Sequence, residues 1–195
     1  MTAILFESAS DAKDLPQVYL TPGTLYCSAV PAVVGTVLGS CVAVCLLDRH
    51  RRAAGMNHFV LSCDPAGGDS LRYGDVALAR FRDRMARLGC DSHDLRAKVF
   101  GGAAVLPFGE LTDTVGSTNV RTALEWLQRQ SIPVIARRTG GTNGMLLRFH
   151  TGLGRVLVRR IASGVDVPAS GSVPSFDSNI DTQAWSGRPG RKDPP

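Results

Sequence analysis

The chain has 195 residues, 44% of them hydrophobic and 20% charged, with a formal net charge of +5. That length fits one domain able to bury its own core. The basic excess is spread along the chain rather than gathered among aromatics, which argues against a nucleic-acid surface, and no apolar run nears the roughly 20 residues of a membrane span.

Residues 1–16 read as a loose lead-in. Glu7, Asp11 and Asp14 outweigh Lys13 there, unlike the basic start and apolar centre of a secretory signal. The five cysteines, Cys27, Cys41, Cys45, Cys63 and Cys90, are odd in number and lack the spacing of a disulfide scaffold. Reduced thiols in a cytoplasmic protein fit that pattern.

Gln17 to Leu20 predicts a short strand ending at the turn signal Thr21-Pro22-Gly23. Thr24 to Val30 predicts a second. Val33 to Asp48 is the longest apolar run and reads as a buried strand interrupted at Gly39-Ser40. Ala53 to Leu61 follows after a polar turn. A hairpin turning between Arg49 and His50 sets Cys41 directly opposite His58, within reach of a thiol–imidazole contact. A one-residue slip would separate them. Cys27 and Cys45 read as small core residues. Ser62 to Ser70 is a loop, and Cys63 is its exposed thiol.

Leu78, Phe81, Met85 and Leu88 make one helical stripe. Asp75 is its expected N-cap and Gly89 its terminator. Ala97 to Leu106 predicts a strand broken by Gly101-Gly102. A second helix is expected from near Asn119 to Gln130, with Val120, Ala123, Leu124 and Leu127 inward. Ile132 to Ala136 predicts a strand, and Met145–His150 with Arg155–Ile161 a hairpin. Neither Gly-rich segment has the Lys-Ser/Thr of a phosphate loop. From Ala162 to Pro195 the composition turns to Ser, Gly, Pro and Asp, which reads as a disordered tail. The order of elements predicts an α+β fold with two main helices on a sheet.

A cysteine nucleophile needs a base, and the tetrahedral oxyanion that it forms needs N–H donors. Cys41 and His58 are the candidate pair. Gly39 and Ser40 are candidates for exposing the Cys41 amide. Thr36, Ser40 and Asn57 are candidates for orienting the imidazole or shaping the site. No Cys-x-x-Cys pair supports a metal site, and the chemistry requires no cofactor. On these residues alone, two buried side chains in a core remain the simpler reading.

Taken in order, Pro22-Gly23, Thr36 to Val44, Gly55-Met56-Asn57-His58-Phe59, Arg72-Tyr73-Gly74-Asp75 and Lys98 to Ala103 resemble the CheD family over residues 17–161. The resemblance implies a layered α/β sandwich with a mixed or antiparallel sheet, related to bacterial toxin deamidases. It implies a protein-glutamine glutaminase (deamidase) of bacterial chemotaxis. Its substrates are glutamines on the cytoplasmic helices of methyl-accepting chemotaxis receptors. Cys41 becomes the nucleophile, His58 the acid–base and Thr36 the third member. A CheC-like phosphatase enters as a candidate partner. A different thiol hydrolase on the same residues and a non-catalytic adaptor binding receptors or CheC are the rival expectations.

Overall fold

The apolar run from Val33 does not form one interrupted strand. It turns at Gly39-Ser40 and enters two different sheets. β3 (Val33–Leu38) joins a four-stranded sheet and β4 (Val42–Asp48) a five-stranded one. The computed structural model describes residues 14–50, 52–104 and 114–161. The expected tail and most of the expected lead-in lie outside these residues.

The remaining elements are β1 (Gln17–Tyr19), β2 (Thr24–Ser28), β5 (Ala54–His58), α1 (Gly74–Arg87), β6 (Leu95–Gly101), α2 (Val115–Arg129), β7 (Val134–Thr139), β8 (Gly144–His150) and β9 (Arg155–Ile161). The larger sheet runs β2-β5-β4-β6-β7 and the smaller β1-β3-β8-β9. β1–β3 and β6–β7 are parallel pairs; the other neighbours are antiparallel. The fold is α+β in three layers: helices, larger sheet, smaller sheet.

β4 shows why the sequence forms this arrangement. Val42, Val44 and Leu46 pack with α1 and α2, while Ala43 and Cys45 face the other sheet. A strand covered on both faces has no polar side to alternate with, so its sequence is continuously apolar. Leu78, Phe81 and Met85 of α1 and Ala123 and Leu127 of α2 close the helix-side core. Val34, Leu38, Met56, Phe100, Leu147 and Phe149 fill the layer between the sheets.

The helix ends differ from expectation. Tyr73, not Asp75, is the N-cap of α1, and it makes no side-chain capping bond. Asp75 sits inside the first turn, where a carboxylate suits the positive end of the helix dipole. Gly89 follows the last turn with φ 82°, as expected. α2 begins at Val115, capped by the Thr114 hydroxyl accepting from the Ser117 N–H. Its opening turns, Val115-Gly116-Ser117-Thr118, carry too few apolar residues to reveal the periodicity.

The β4–β5 register also differs. Cys45 pairs with Met56, Leu46 with Gly55 and Leu47 with Ala54, and Val42 bridges Phe59. His58 therefore comes level with Ala43, and Cys41 lies a diagonal step away instead of directly opposite. A slip of two residues preserves the face, since side chains alternate with period two. Asp48 accounts for part of the slip. Its carboxylate accepts from the Arg52 backbone N–H at 2.9 Å and from the Arg52 guanidinium. That makes a wider, ion-paired turn than a two-residue loop.

Candidate active site

β3 and β5 present side chains to the space between the sheets. Thr36 projects from β3 beside Val34 and Leu38, and His58 from β5 beside Met56. The Thr36 hydroxyl lies 2.8 Å from the Leu20 carbonyl and 2.8 Å from His58 Nδ1. A hydroxyl has one proton. The carbonyl can only accept, so that proton goes to Leu20. His58 Nδ1 must then carry a hydrogen and donate it to Thr36. This bonding logic assigns the Nδ1–H tautomer and leaves a lone pair on Nε2. His58 is 2% exposed, and its Nε2 has no hydrogen-bond partner among the described residues.

Cys41 packs at the margin of the same inter-sheet core, with Val18 and Tyr26, and remains partly accessible. It shares a face with His58 on neighbouring strands, but the thiol makes no hydrogen bond to the imidazole here. Burial holds the Cys41 thiol above its ordinary pKa, against the pull of the Arg72 guanidinium and of its own backbone N–H. Burial also lowers His58 from 6.5 to about 4, against the Leu20 carbonyl. Both shifts favour a neutral thiol beside a neutral imidazole in the resting protein.

The turn bearing Cys41 is fixed through its carbonyls. Gly39 O accepts from Ala103 N at 2.9 Å, Ser40 O from Asn119 Nδ2 at 3.0 Å, and Cys41 O from Gly102 N at 2.8 Å. Gly101 permits the approach. Its φ is 104°, and a Cβ there would overlap the Cys41 carbonyl oxygen. Among the described residues, neither the Ser40 nor the Cys41 N–H has a backbone acceptor. The Cys41 N–H lies against its own sulfur, so the Ser40 and Cys41 amides both face the nucleophile's side of the turn and not the ladder.

Asn57 does not orient the imidazole. Strand alternation points it to the face opposite His58. Its Oδ1 accepts from Val44 N at 2.8 Å, where the β4–β5 ladder would otherwise continue. Asn57 thus takes up the Val44 N–H with its side chain, one residue before His58.

Two further residues were not singled out by the sequence. Asn119 of α2 is fully buried, and its Nδ2 also donates to Val60 O at 2.7 Å. Its signal was a polar residue one turn before Ala123 on a buried stripe. Arg72 lies within the quoted Arg72-Tyr73-Gly74-Asp75 motif. Its carbonyl accepts from Val60 and Leu61, and its stem lies over Gly23, where a Cβ would sit 2.8 Å from Arg72 Cγ. No group of three or more potential metal ligands occurs among the described residues, and no helix among them is long and apolar enough to cross a membrane.

Residues 62–160 match the family described as CheD chemotactic sensory transduction. "Probable chemoreceptor glutamine deamidase CheD" of Rhodospirillum rubrum is 66% identical over 164 residues, covering 84% of this chain and 93% of that one. "Probable chemoreceptor glutamine deamidase CheD 1" of Anaeromyxobacter dehalogenans is 42% identical, covering 74% and 85%. Among solved structures, the Bacillus licheniformis hypothetical protein YfiH overlaps 60% of this chain and 49% of its own at 16% identity and a TM-score of 0.36, too low to support an inference. The family match and the extent of these relatives establish that this chain belongs to the CheD family.

Proposed function

We propose that this protein is a chemoreceptor glutamine deamidase working by Cys41–His58 thiol catalysis in the cytoplasm. It is a protein-glutamine deamidase that hydrolyses side-chain amides of methyl-accepting receptors to glutamate and ammonia. The names of its relatives support the reaction. The observation that carries the mechanism is the Thr36–His58 bond, which leaves Nε2 as an unprotonated base on the face shared with Cys41.

The glutamine carbonyl carbon approaches Cys41, whose thiol turns toward Nε2. Sγ attacks as its proton moves to His58, and the carbonyl oxygen becomes an oxyanion. The Ser40 and Cys41 N–H groups, exposed by the turn at Gly39, receive it. The imidazolium protonates the amide nitrogen, the C–N bond breaks and ammonia leaves. A γ-glutamyl thioester to Cys41 remains. Nε2 then removes a proton from water, hydroxide adds to the thioester, and the thiolate departs and regains that proton. Thr36 holds the ring through Nδ1–H during both proton transfers, and Asn57 takes up the Val44 N–H one residue before it. Arg72 favours the developing thiolate.

The test is ammonia release and Gln-to-Glu conversion on a purified receptor cytoplasmic fragment. The parent converts the fragment, and Cys41→Ala does not. Binding without conversion, by folded parent with a reduced thiol, would favour the adaptor reading. Peptide cleavage or amine transfer in excess of ammonia release would favour a different thiol hydrolase.

A further inference from the structure

We infer that Asn119 is a positioning residue for the nucleophile, acting through the Ser40 carbonyl. The inference rests on the thiol mechanism proposed above. Asn119 Nδ2 spends both hydrogens across a single junction: one on Ser40 O, immediately before Cys41, and one on Val60 O, two residues beyond His58. A single side chain on α2 thereby ties the turn carrying the thiol to the segment that leaves the strand carrying the base. Holding the Ser40 carbonyl toward α2 also sets the plane of the Ser40–Cys41 peptide. The Cys41 N–H belongs to that peptide, and it points away from the carbonyl.

The other half of the amide adds no bond to this arrangement. Asn119 Oδ1 is buried without a partner among the described residues. An unmet buried acceptor offsets part of what the two donor bonds contribute to stability, so the fixed geometry of those two bonds is the clearer feature of the residue. The flanking contacts, Ala103 N to Gly39 O and Gly102 N to Cys41 O, come from the backbone and survive any side-chain replacement. Among the described residues, Asn119 supplies the one side-chain hydrogen bond to the turn's carbonyls, and its removal frees the middle peptide while the ends stay fixed.

The experiment uses the full chain. Asn119→Ala and the similarly sized Asn119→Leu are compared with Leu127→Ala, a core truncation on the same helix. Asn119→Ser keeps one donor and serves if the larger changes do not fold. Steady-state deamidation of the receptor fragment is measured well below each melting temperature. Cys41 alkylation by iodoacetamide is followed across pH by peptide mass spectrometry, with Cys63 as internal reference. Displacing a reacting group by about an ångström costs on the order of 100-fold. Asn119→Ala and Asn119→Leu should therefore lower kcat by about that factor with KM within about twofold. Cys41 alkylation should change its rate or midpoint while Cys63 does not. Leu127→Ala should melt earlier with kcat preserved. Unchanged kcat and Cys41 alkylation in folded Asn119 variants would overturn the inference, as would a kcat loss shared equally by Leu127→Ala. If the parent protein converts no glutamine, the deamidase reading fails, and the Cys41 alkylation profile still decides the role of Asn119.

Discussion

Thr36 and His58 depend on each other through a single hydrogen. Thr36→Val keeps the shape and removes the acceptor for Nδ1–H, so either ring tautomer becomes available. Its kcat should fall by about 100-fold, the lower end of what a positioned acid–base supplies, with Thr36→Ser restoring most of it and KM little moved. Steady-state kinetics on the receptor fragment checks both. His58 also predicts pH behaviour. Its pKa in the folded protein is about 4, against an ordinary value near 6.5. The acid limb of kcat/KM should therefore fall below pH 5, instead of near 6.5. The same shift makes stability depend on pH. Between about 4 and 6.5 the unfolded chain binds the proton and the folded chain does not, so stability declines as pH falls through that window. The loss is on the order of 3 kcal/mol, and His58→Phe should remove it. Urea titrations at pH 7 and pH 4.5 measure the difference. At this scale Thr36, Cys41 and His58 were named from their residue types and motif order, and the structure bonds Thr36 to His58. Asn119 and Arg72 were not, because their relation to Cys41 exists only through contacts distant in sequence.

Pairing between elements was less legible. The apolar run at 33–48 carries no mark of which sheet each half joins, since both halves are buried and β-branched. The β4–β5 register was expected two residues away from where it lies. Ionic contacts from Asp48 to Arg52, and from Arg52 on to Asp94, widen the turn, and no local turn motif announces them. The face was nevertheless correct, because a two-residue slip preserves it. The Gly101-Gly102 pair was read as a break within a strand. It ends β6 and brings the chain against the Cys41 turn. Gly101→Ala sets a Cβ against the Cys41 carbonyl oxygen at a φ that L-residues rarely adopt. It should destabilise by at least about 1–3 kcal/mol, the usual cost of such a conformation. It should also lower kcat in the fraction that folds. Thermal melts and kinetics on the same preparation separate the two effects.

Across the whole molecule, the three-layer arrangement divides the candidate triad. Thr36 belongs to the smaller sheet and His58 to the larger, so their bond spans the layer between them. Two cores of similar kind should then behave differently. Phe149→Ala opens the inter-sheet layer, and Met85→Ala opens the helix-side core; both residues are fully buried. Each should cost about 2–5 kcal/mol. Phe149→Ala should lower kcat at a temperature where the protein remains folded, whereas Met85→Ala should not. Equal losses in both would count against the division. The sequence revealed two helices on sheet, but not two sheets face to face. Alternation identifies a buried face without saying what covers it.

The amides of the Cys41 turn, outside any backbone ladder among the described residues, have a consequence in isotope exchange. Flanking strands β3 and β4 have their N–H groups committed to ladders, and Val42 donates to Phe59 O. Among the described residues, the Ser40 and Cys41 N–H groups have no such backbone acceptor, although they lie between two laddered strands. Their deuterium uptake should be fast, a two-residue gap in an otherwise slow region. A substrate-like aldehyde that traps Cys41 as a hemithioacetal should slow both positions while leaving the surrounding strands unchanged.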